Sequence, residues 1–194
     1  MSDIRFLLVA LFAIVSANAA SAALSQLIAD GAEPDLLADG FKFTEGPAAD
    51  ARGNLFFSDI GGNRIHYWDV EKKALSTVRE NSGGADGLFV DEDGALWICE
   101  LRNRRLTKLD RDGRYEVMVD SFEDGPLTGA NDLWIDTYGG IYFSDSYGGS
   151  AVRTKDHRVF YRSPDGEVML VADDFYKSNG LLGTPRNEWL YLGL

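Results

Sequence analysis

Residues 84–110, "GADGLFVDEDGALWICELRNRRLTKLD", decide the fold that this sequence predicts. Short runs rich in strand-forming residues ("GLFVD", "ALWICE", "RLTKLD") alternate with the connectors "DEDG" and "DRDG", and "YEVMVD" follows. Such runs, bounded by Asp and Gly, are typical of strands joined by tight turns. The stretch therefore predicts four short strands. Its two connectors are interpreted as β-turns, because they lack the remaining ligands of a calcium-binding loop.

The same pattern occurs four times along the chain. Its copies begin at 43, 84, 129 and 177, a period of 41 to 48 residues. Four short strands in such a period are typical of one blade of a β-propeller. We therefore predict an all-β propeller of four-stranded blades over residues 24–194, with about 3.5 blades present. The units lie near 43–83, 84–128, 129–176 and 177–194.

One polar position recurs at the start of the first strand in every unit: Glu45, Asp86, Asn131 and Asn179. The innermost strand of each propeller blade runs along the central channel, so these side chains are expected to converge at one mouth. Capping of turns is the alternative role for Asn and Asp. Glu is a poor turn residue, which favours a ligand ring. Oxygen ligands without His or Cys suit calcium first, with magnesium, manganese or zinc as alternatives.

Composition and charge exclude several classes of function. The net charge is −12, and no block of Lys or Arg stands out, which argues against binding to nucleic acid or to anionic membranes. The sequence contains no G-x-S-x-G, H-E-x-x-H or P-loop motif. The single cysteine, Cys99, lies within a strand pattern and is predicted to be a buried small hydrophobe.

The N-terminus carries the pattern of a secretory signal peptide. Arg5 precedes the apolar run "FLLVALFAIV" (6–15), and the small-residue stretch "SANAASAA" follows, with A-x-A sites before Ala20 and Ala23. An apolar core of about ten residues suits a signal peptide and is short for a membrane span. We predict a signal peptide over 1–23 and export to the periplasm or the extracellular space, with no stable membrane span after cleavage. The alternative is an uncleaved N-terminal anchor.

An ordered set of motifs resembles the SMP-30/gluconolactonase/luciferin-regenerating enzyme (LRE) family. The segments that carry the resemblance are "FTEGPAAD", "ADGLFVDEDGALWICELRNRRL", "ANDLWIDTYGGIYFSDSYGG" and "VADDFYKSNGLL", within residues 35 to 194. Members of this family are six-bladed, calcium-dependent propellers. The chain is most similar to the gluconolactonase-like branch, so the resemblance implies hydrolysis of a sugar lactone, a small-molecule substrate.

The resemblance also implies roles for individual residues. It assigns Glu45, Asn131 and Asn179 as metal ligands, and Asn131 and Asp86 as contacts to substrate. An Asp on a later blade is the family's general base, and the sequence up to Leu194 shows no equivalent, so the catalytic residue is unknown. Some animal members bind substrate with an arginine just before the N-D motif, where this chain has Gly129 and Ala130.

The length of the chain leaves the state of the propeller open. A ring of six blades at about 45 residues each needs roughly 270 residues. The sequence is therefore expected to be a C-terminally truncated member, with completion of the ring by a second chain and a stable half-propeller as alternatives. Open blade edges predict self-association. We expect little or no hydrolase activity from these residues alone. A non-catalytic ligand-binding or partner-binding propeller and an organophosphate-ester hydrolase are the alternative functions.

Overall fold

A computed structural model describes residues 5–6, 29, 31–123, 125–146, 157–173 and 178–193. The chain divides into two units, the first formed by Met1–Leu8 with Phe41–Leu194 and the second by Val9–Gly40. The described part of the second unit contains neither helix nor strand. The predicted signal peptide lies outside the described residues except for the backbone of Arg5–Phe6.

All the regular elements of the described chain are strands. In chain order they are β1 Arg5–Phe6, β2 Thr44–Ala49, β3 Leu55–Asp59, β4 Arg64–Asp69, β5 Ala74–Glu80, β6 Ala85–Val90, β7 Leu96–Glu100, β8 Arg105–Leu109, β9 Tyr115–Val119, β10 Ser121–Phe122, β11 Gly125–Pro126, β12 Ala130–Ile135, β13 Ile141–Asp145, β14 Arg158–Arg162, β15 Val168–Ala172, β16 Leu181–Gly183 and β17 Trp189–Leu192.

Three four-stranded antiparallel sheets form the first three blades: β2–β5 (blade one), β6–β9 (blade two) and β12–β15 (blade three). Strands β16 and β17 form an antiparallel pair that begins blade four, and β1 adds to β17 in parallel. The short hairpin β10–β11 lies between blades two and three. The predicted all-β fold of four-stranded blades is confirmed.

The tight connectors are β-turns, as predicted. The amide of Gly94 donates to the carbonyl of Asp91 at 2.8 Å, and the amide of Gly113 donates to the carbonyl of Asp110 at 3.1 Å. Both glycines have positive φ (76° and 83°), a conformation that costs glycine little. Local sequence therefore sets the strand lengths within each blade.

The hydrophobic core lies between blades, because each sheet buries its apolar face against the next sheet. The interface of blades two and three contains the largest buried side chains, including Phe143 and Phe160, both 0% exposed. Burial of one such side chain stabilises the fold by about 1.5–3 kcal/mol. Cys99 belongs to the same cluster and is fully buried, which confirms the predicted small hydrophobe.

The first strands of successive blades pack side by side, β2 against β6, β6 against β12 and β12 against β16. They are therefore the inner strands of the assembly. This arrangement brings equivalent positions of the repeat into neighbouring places.

Candidate functional site

The inner strands are irregular at the recurring polar position. The strand register shifts between Glu45 and Ala48 in β2, between Ala85 and Leu88 in β6, and between Ala130 and Leu133 in β12. A β-bulge of this kind redirects side chains and is common beside functional sites. We call Glu45, Asp86, Asn131 and Asn179 the inner ring. The first three lie at or within the irregularities, and Asn179 lies just before β16.

Glycines let the inner strands approach each other closely at this level. A Cβ on Gly46 would overlap the carbonyl oxygen of Asp86 in the next blade. A Cβ on Gly87 would lie 2.6 Å from the Cα of Asp132 and 2.7 Å from the carbonyl oxygen of Asn131. Because neither position has room for a side chain, blades one, two and three hold their ring residues at backbone contact distance.

Two ring residues from adjacent blades are hydrogen-bonded to each other. The Nδ2 of Asn131 donates to Oδ2 of Asp86 at 2.6 Å, and both residues are buried. An ionised carboxylate only accepts, so this bond fixes which end of the amide faces Asp86. The other end, Oδ1 of Asn131, is buried without a hydrogen-bond partner. An unpaired buried acceptor carries a free-energy cost of about 1–3 kcal/mol unless something binds it.

The other two ring residues present free oxygens. Glu45 is half-buried and Asn179 is exposed. No described residue forms a hydrogen bond with either side chain. Together with Oδ1 of Asn131 they supply a carboxylate and two amide oxygens, a donor set that suits a hard divalent cation.

Asp132 is a residue that sequence reasoning did not assign to the site. Its Oδ2 accepts from the backbone amide of Leu181 in blade four at 2.7 Å. Burial raises the pKa of the Asp132 carboxyl, the amides of Leu181 and Leu133 lower it, and the charge of Glu45 raises it further. The aligned repeat marks Asp132 as an exception, because the residue after the ring residue is glycine in the other three units (46, 87 and 180).

Two serines fix the backbone of ring residues in the following blade. Ser58 Oγ donates to the carbonyl of Asp86 at 2.9 Å, and Ser144 Oγ donates to the carbonyl of Asn179 at 3.0 Å. Cys99 holds the equivalent position in blade two, and burial raises the pKa of its thiol well above the ordinary value. The sequence shows "FSD" twice, at 57–59 and 143–145, but it does not show that the serine contacts the next blade.

Three buried carboxylates follow these positions, and we call Asp59, Glu100 and Asp145 the carboxylate belt. Asp145 accepts from the amides of Thr128 and Gly129 at 3.0 and 2.6 Å, which anchors the segment that leads into Asn131. Asp59 accepts from the amide of Phe43 at 3.0 Å, which anchors the segment before Glu45. Asp59 and Asp145 therefore orient the segments that lead into Glu45 and Asn131, whereas Glu100 accepts hydrogen bonds from side chains.

Two clefts of the described surface lie at the opposite end of the inner strands. One of about 650 Å³ includes Trp97, Lys108 and Arg162, and another of about 720 Å³ lies between blades one and two. Asp91, which lines both, already caps its own turn and accepts from Trp97 Nε1 at 2.9 Å. The exposed carboxylate of Glu92 also lines both clefts, at the end of the inner strand of blade two away from Asp86.

The described residues contain neither a cluster of His, Cys, Asp and Glu metal ligands nor a membrane-spanning helix. No group of three or more His, Cys, Asp or Glu side chains is placed there to hold a metal ion. The inner ring, which relies on amides, is a different donor set. None of the described segments forms a helix long and apolar enough to cross a bilayer.

The structure places the predicted site residues on neighbouring inner strands. It joins Asp86 to Asn131 directly, and it links Asn131 to Asn179 only through the backbone around Asp132 and Ser144. The described residues show no hydrogen bond from the side chain of Glu45 to that of Asn131 or Asn179.

Comparison with known proteins shows a match between this sequence and the model of a protein family. Residues 43–193 match the model of the SMP-30/Gluconolactonase/LRE-like region. This match spans nearly all the strands of the three complete blades and the beginning of the fourth.

Individual relatives point in the same direction. The gluconolactonase of Zymomonas mobilis subsp. mobilis is 29% identical over 180 residues, which cover 81% of this chain and 50% of that protein. A solved structure described provisionally as a gluconolactonase is 32% identical with a TM-score of 0.75, covering 84% of this chain and 59% of the other. The gluconolactonase of Xanthomonas campestris is 29% identical with a TM-score of 0.72, covering 81% and 56%. The chain thus spans about half the length of the curated relative.

Proposed function

The chain belongs to the SMP-30/gluconolactonase/LRE-like family, and we propose that its inner ring binds a divalent cation for the hydrolysis of a sugar lactone. The observation that carries the proposal is the buried Oδ1 of Asn131, which has no hydrogen-bond partner while its Nδ2 is held by Asp86. Similarity to gluconolactonases supports the reaction class.

Glu45, Asn131 and Asn179 would hold the cation, with calcium first among the candidates and magnesium, manganese or zinc as alternatives. Their oxygens fit a hard ion, and the one carboxylate supplies negative charge. When bound, such an ion polarises a carbonyl oxygen and stabilises the negative charge that develops on it. Zinc is the least favoured of these alternatives, because it prefers nitrogen and sulfur ligands.

The protein's own groups prepare this site. Asp86 accepts from the Asn131 amide, so it turns Oδ1 away from itself and toward a ligand. Asp86 and Asn131 are also the proposed contacts for the hydroxyl groups of a substrate, since a carboxylate accepts and an amide both donates and accepts. Ser58 and Ser144 hold the backbone of the ring residues from outside.

Hydrolysis by these residues alone is expected to be slow. The family resemblance calls for a fourth ligand and a general base on a later blade, and the described residues place no free carboxylate in that role. Activation of water would then depend on bulk hydroxide or on Glu45, which the proposed cation already engages.

A calcium titration by isothermal calorimetry tests the binding step. We expect binding to the unmodified protein, and Asn131→Ala is expected to weaken it at least about tenfold, or about 1.4 kcal/mol. Asn54→Ala is the matched control, because Asn54 is equally buried (6% against 8% exposed) at the other end of blade one. Equal weakening by both variants, or no binding at all, would contradict the proposed ring.

Hydrolysis of glucono-δ-lactone, followed with a pH indicator, tests the reaction. We expect weak hydrolysis that a chelator abolishes and calcium restores. Hydrolysis indifferent to the chelator would contradict cation dependence. Calcium binding without any turnover would favour the non-catalytic ligand-binding propeller, and chelator-sensitive hydrolysis of an organophosphate ester alone would favour the other hydrolase.

We also propose that the protein is exported. The support is the sequence pattern of residues 1–23, which lies almost entirely outside the described residues. N-terminal sequencing of the protein from its host is expected to find a mature terminus at or near Ala20 or Ala23. An intact Met1 in the exported fraction would favour the uncleaved anchor instead.

Self-association through open blade edges is a further proposal. Leu182 and Tyr191 of blade four, which are 63% and 42% exposed, lie opposite each other on paired strands and form an exposed apolar patch. A second copy of the chain is the proposed partner. Sedimentation velocity is expected to show a dimer or larger species that Leu182→Lys disrupts, and a concentration-independent monomer would exclude it.

A further inference from the structure

The contact between blades three and four differs from the two inner-strand contacts before it. In blades one and two the residue after the ring residue is Gly46 or Gly87, and the next inner strand packs directly on it. In blade three that residue is Asp132, whose carboxylate extends to the next blade. The Asp132 side chain thus takes the place of direct backbone contact where blade three meets blade four.

Asn179 depends on this junction for its position. Its side chain is exposed and makes no hydrogen bond with any described residue, so its backbone alone determines where the amide lies. Within blade four its amide donates to the carbonyl of Gly193 at 2.9 Å. Also within blade four, the amide of Gly193 donates to the carbonyl of Gly180 at 2.8 Å, and blade three supplies two further anchors of the segment.

Blade three holds this segment at two points. Ser144 Oγ donates to the carbonyl of Asn179 at 3.0 Å, and Asp132 Oδ2 accepts from the amide of Leu181 at 2.7 Å. The two anchors are themselves coupled, because the amide of Asp132 donates to Ser144 Oγ at 3.1 Å. They therefore clamp a three-residue segment on both sides of its centre, Gly180.

We propose that Asp132 is a positioning residue that sets the place of the Asn179 amide oxygen relative to Asn131, and thereby the affinity of the inner ring for a divalent cation. The inference rests on the proposed function. Asp132 acts through the hydrogen bond to Leu181, so its ability to accept matters and its negative charge does not. Groups that orient metal ligands in this way change affinity by about 10- to 100-fold when removed.

Three variants and two measurements test the inference. Asp132→Ala removes the acceptor, whereas Asp132→Asn keeps an oxygen that accepts from Leu181 but removes the charge. Asp136→Asn is the matched control, because Asp136 also caps backbone amides in blade three (Tyr138 and Gly140, both 2.8 Å) but at the far end of β12. Amide hydrogen exchange reports the clamp, and calcium calorimetry reports the ring.

The expected result separates the variants clearly. Asp132→Ala exchanges the Leu181 amide at least about tenfold faster and binds calcium about tenfold or more weakly. Asp132→Asn stays within about threefold of the unmodified protein in both measurements, and Asp136→Asn changes neither. The exchange measurement needs no cation and is unaffected by loss of turnover.

Other outcomes overturn the inference. Equal loss of affinity in Asp132→Asn and Asp132→Ala would mean that charge, not the hydrogen bond, matters. Faster exchange of the Leu181 amide without weaker calcium binding would mean that Asp132 stabilises the fold but does not affect the inner ring. Absence of calcium binding in the unmodified protein would overturn the proposed function, and the inference with it, before any variant is compared.

Discussion

The inner ring and the carboxylate belt lie at the same end of the blades but differ in how completely their polar atoms are paired. The belt position follows directly from the register, since Asp59, Glu100 and Asp145 pair with the residues that open the inner strands. Each belt carboxylate is buried and accepts several hydrogen bonds. In the ring, Oδ1 of Asn131 is buried and unpaired.

Electrostatics separates the two sets as well. Burial pushes the pKa of Asp59 up, but hydrogen bonds from the amides of Phe43, Gly62 and Lys42 outweigh it and the pKa is lowered. Beside the ring, burial raises the pKa of Asp132 and the neighbouring charge of Glu45 adds to the effect. A charge that is fully hydrogen-bonded stabilises the fold, whereas crowded carboxyls beside unpaired oxygens favour the binding of a cation.

The contrast separates polar groups that are fully hydrogen-bonded within the fold from those that we propose for a ligand. Belt residues should therefore be costly to remove in stability, and ring residues costly in binding. The predictions below test this division, from the largest expected effect to the smallest.

Removal of the central belt carboxylate is expected to have the largest effect. Glu100 is fully buried, accepts hydrogen bonds from four side chains and forms an ion pair with Arg79 at 3.3 Å; the four donors are Asn103, Arg105, Thr107 and Tyr115. Glu100→Ala leaves two arginines without a buried partner and is expected to lower the free energy of unfolding by about 3–5 kcal/mol. Urea unfolding measures it.

Glu116→Ala, on the outermost strand of the same blade, is the matched control. Its side chain is 44% exposed and is expected to change stability by less than about 0.5 kcal/mol. A loss under about 1 kcal/mol in Glu100→Ala would show that the belt contributes little and would break the comparison.

Insertion of one methyl group between inner strands is expected to have the second-largest effect on stability. Gly87→Ala would place Cβ within 2.6–2.7 Å of backbone atoms of Asp132 and Asn131, which cannot rotate away. We expect a loss of about 1–3 kcal/mol in the free energy of unfolding, together with weaker calcium binding, because blades two and three move apart. Gly125→Ala, which has open space around its Cβ, should change neither property.

Acid is expected to lower the free energy of unfolding through protonation of the belt residue Asp59. The lowered pKa of Asp59 means that the folded state binds fewer protons than the unfolded state near the ordinary aspartate pKa. Its stabilisation is therefore present above about pH 4 and is lost as the pH falls through the folded pKa. Urea unfolding between pH 3 and 7 should show a shallower acid-side slope for Asp59→Asn. Identical slopes would contradict this assignment.

The smallest effect is expected at the serine position of blade two. Cys99 occupies the place that Ser58 and Ser144 hold in their blades. Cys99→Ser supplies a stronger donor toward the inner strand of blade three but places a hydroxyl in an apolar cluster. We expect these effects to offset each other within about 1 kcal/mol of unfolding free energy. A much larger loss would mean that the serine pattern carries no positional meaning in blade two.

The sequence determined the blades because their instructions are local. Alternating strand and turn residues set each hairpin, and Gly94 or Gly113 at a positive φ closes it within four residues. The repeat also located the inner ring, since equivalent places in successive blades must converge. The pattern of residues 34–43, "PDLLADGFKF", predicts a strand that would close a last blade, and this prediction is wrong, because the structure shows no strand within those residues. A strand needs a neighbouring edge to pair with, and that part of the chain shows none.

Tertiary structure decided how the ring residues are used. The bond from Asn131 to Asp86, the overlap that reserves Gly46 and Gly87, and the clamp of Asp132 on Leu181 all join residues of different blades. A repeat aligns these positions but does not give the distance between them, because that distance depends on how adjacent sheets pack. Hydrogen bonding is decided over a few tenths of an ångström, so only the assembled inner strands distinguish a satisfied carboxylate from an oxygen left for a ligand.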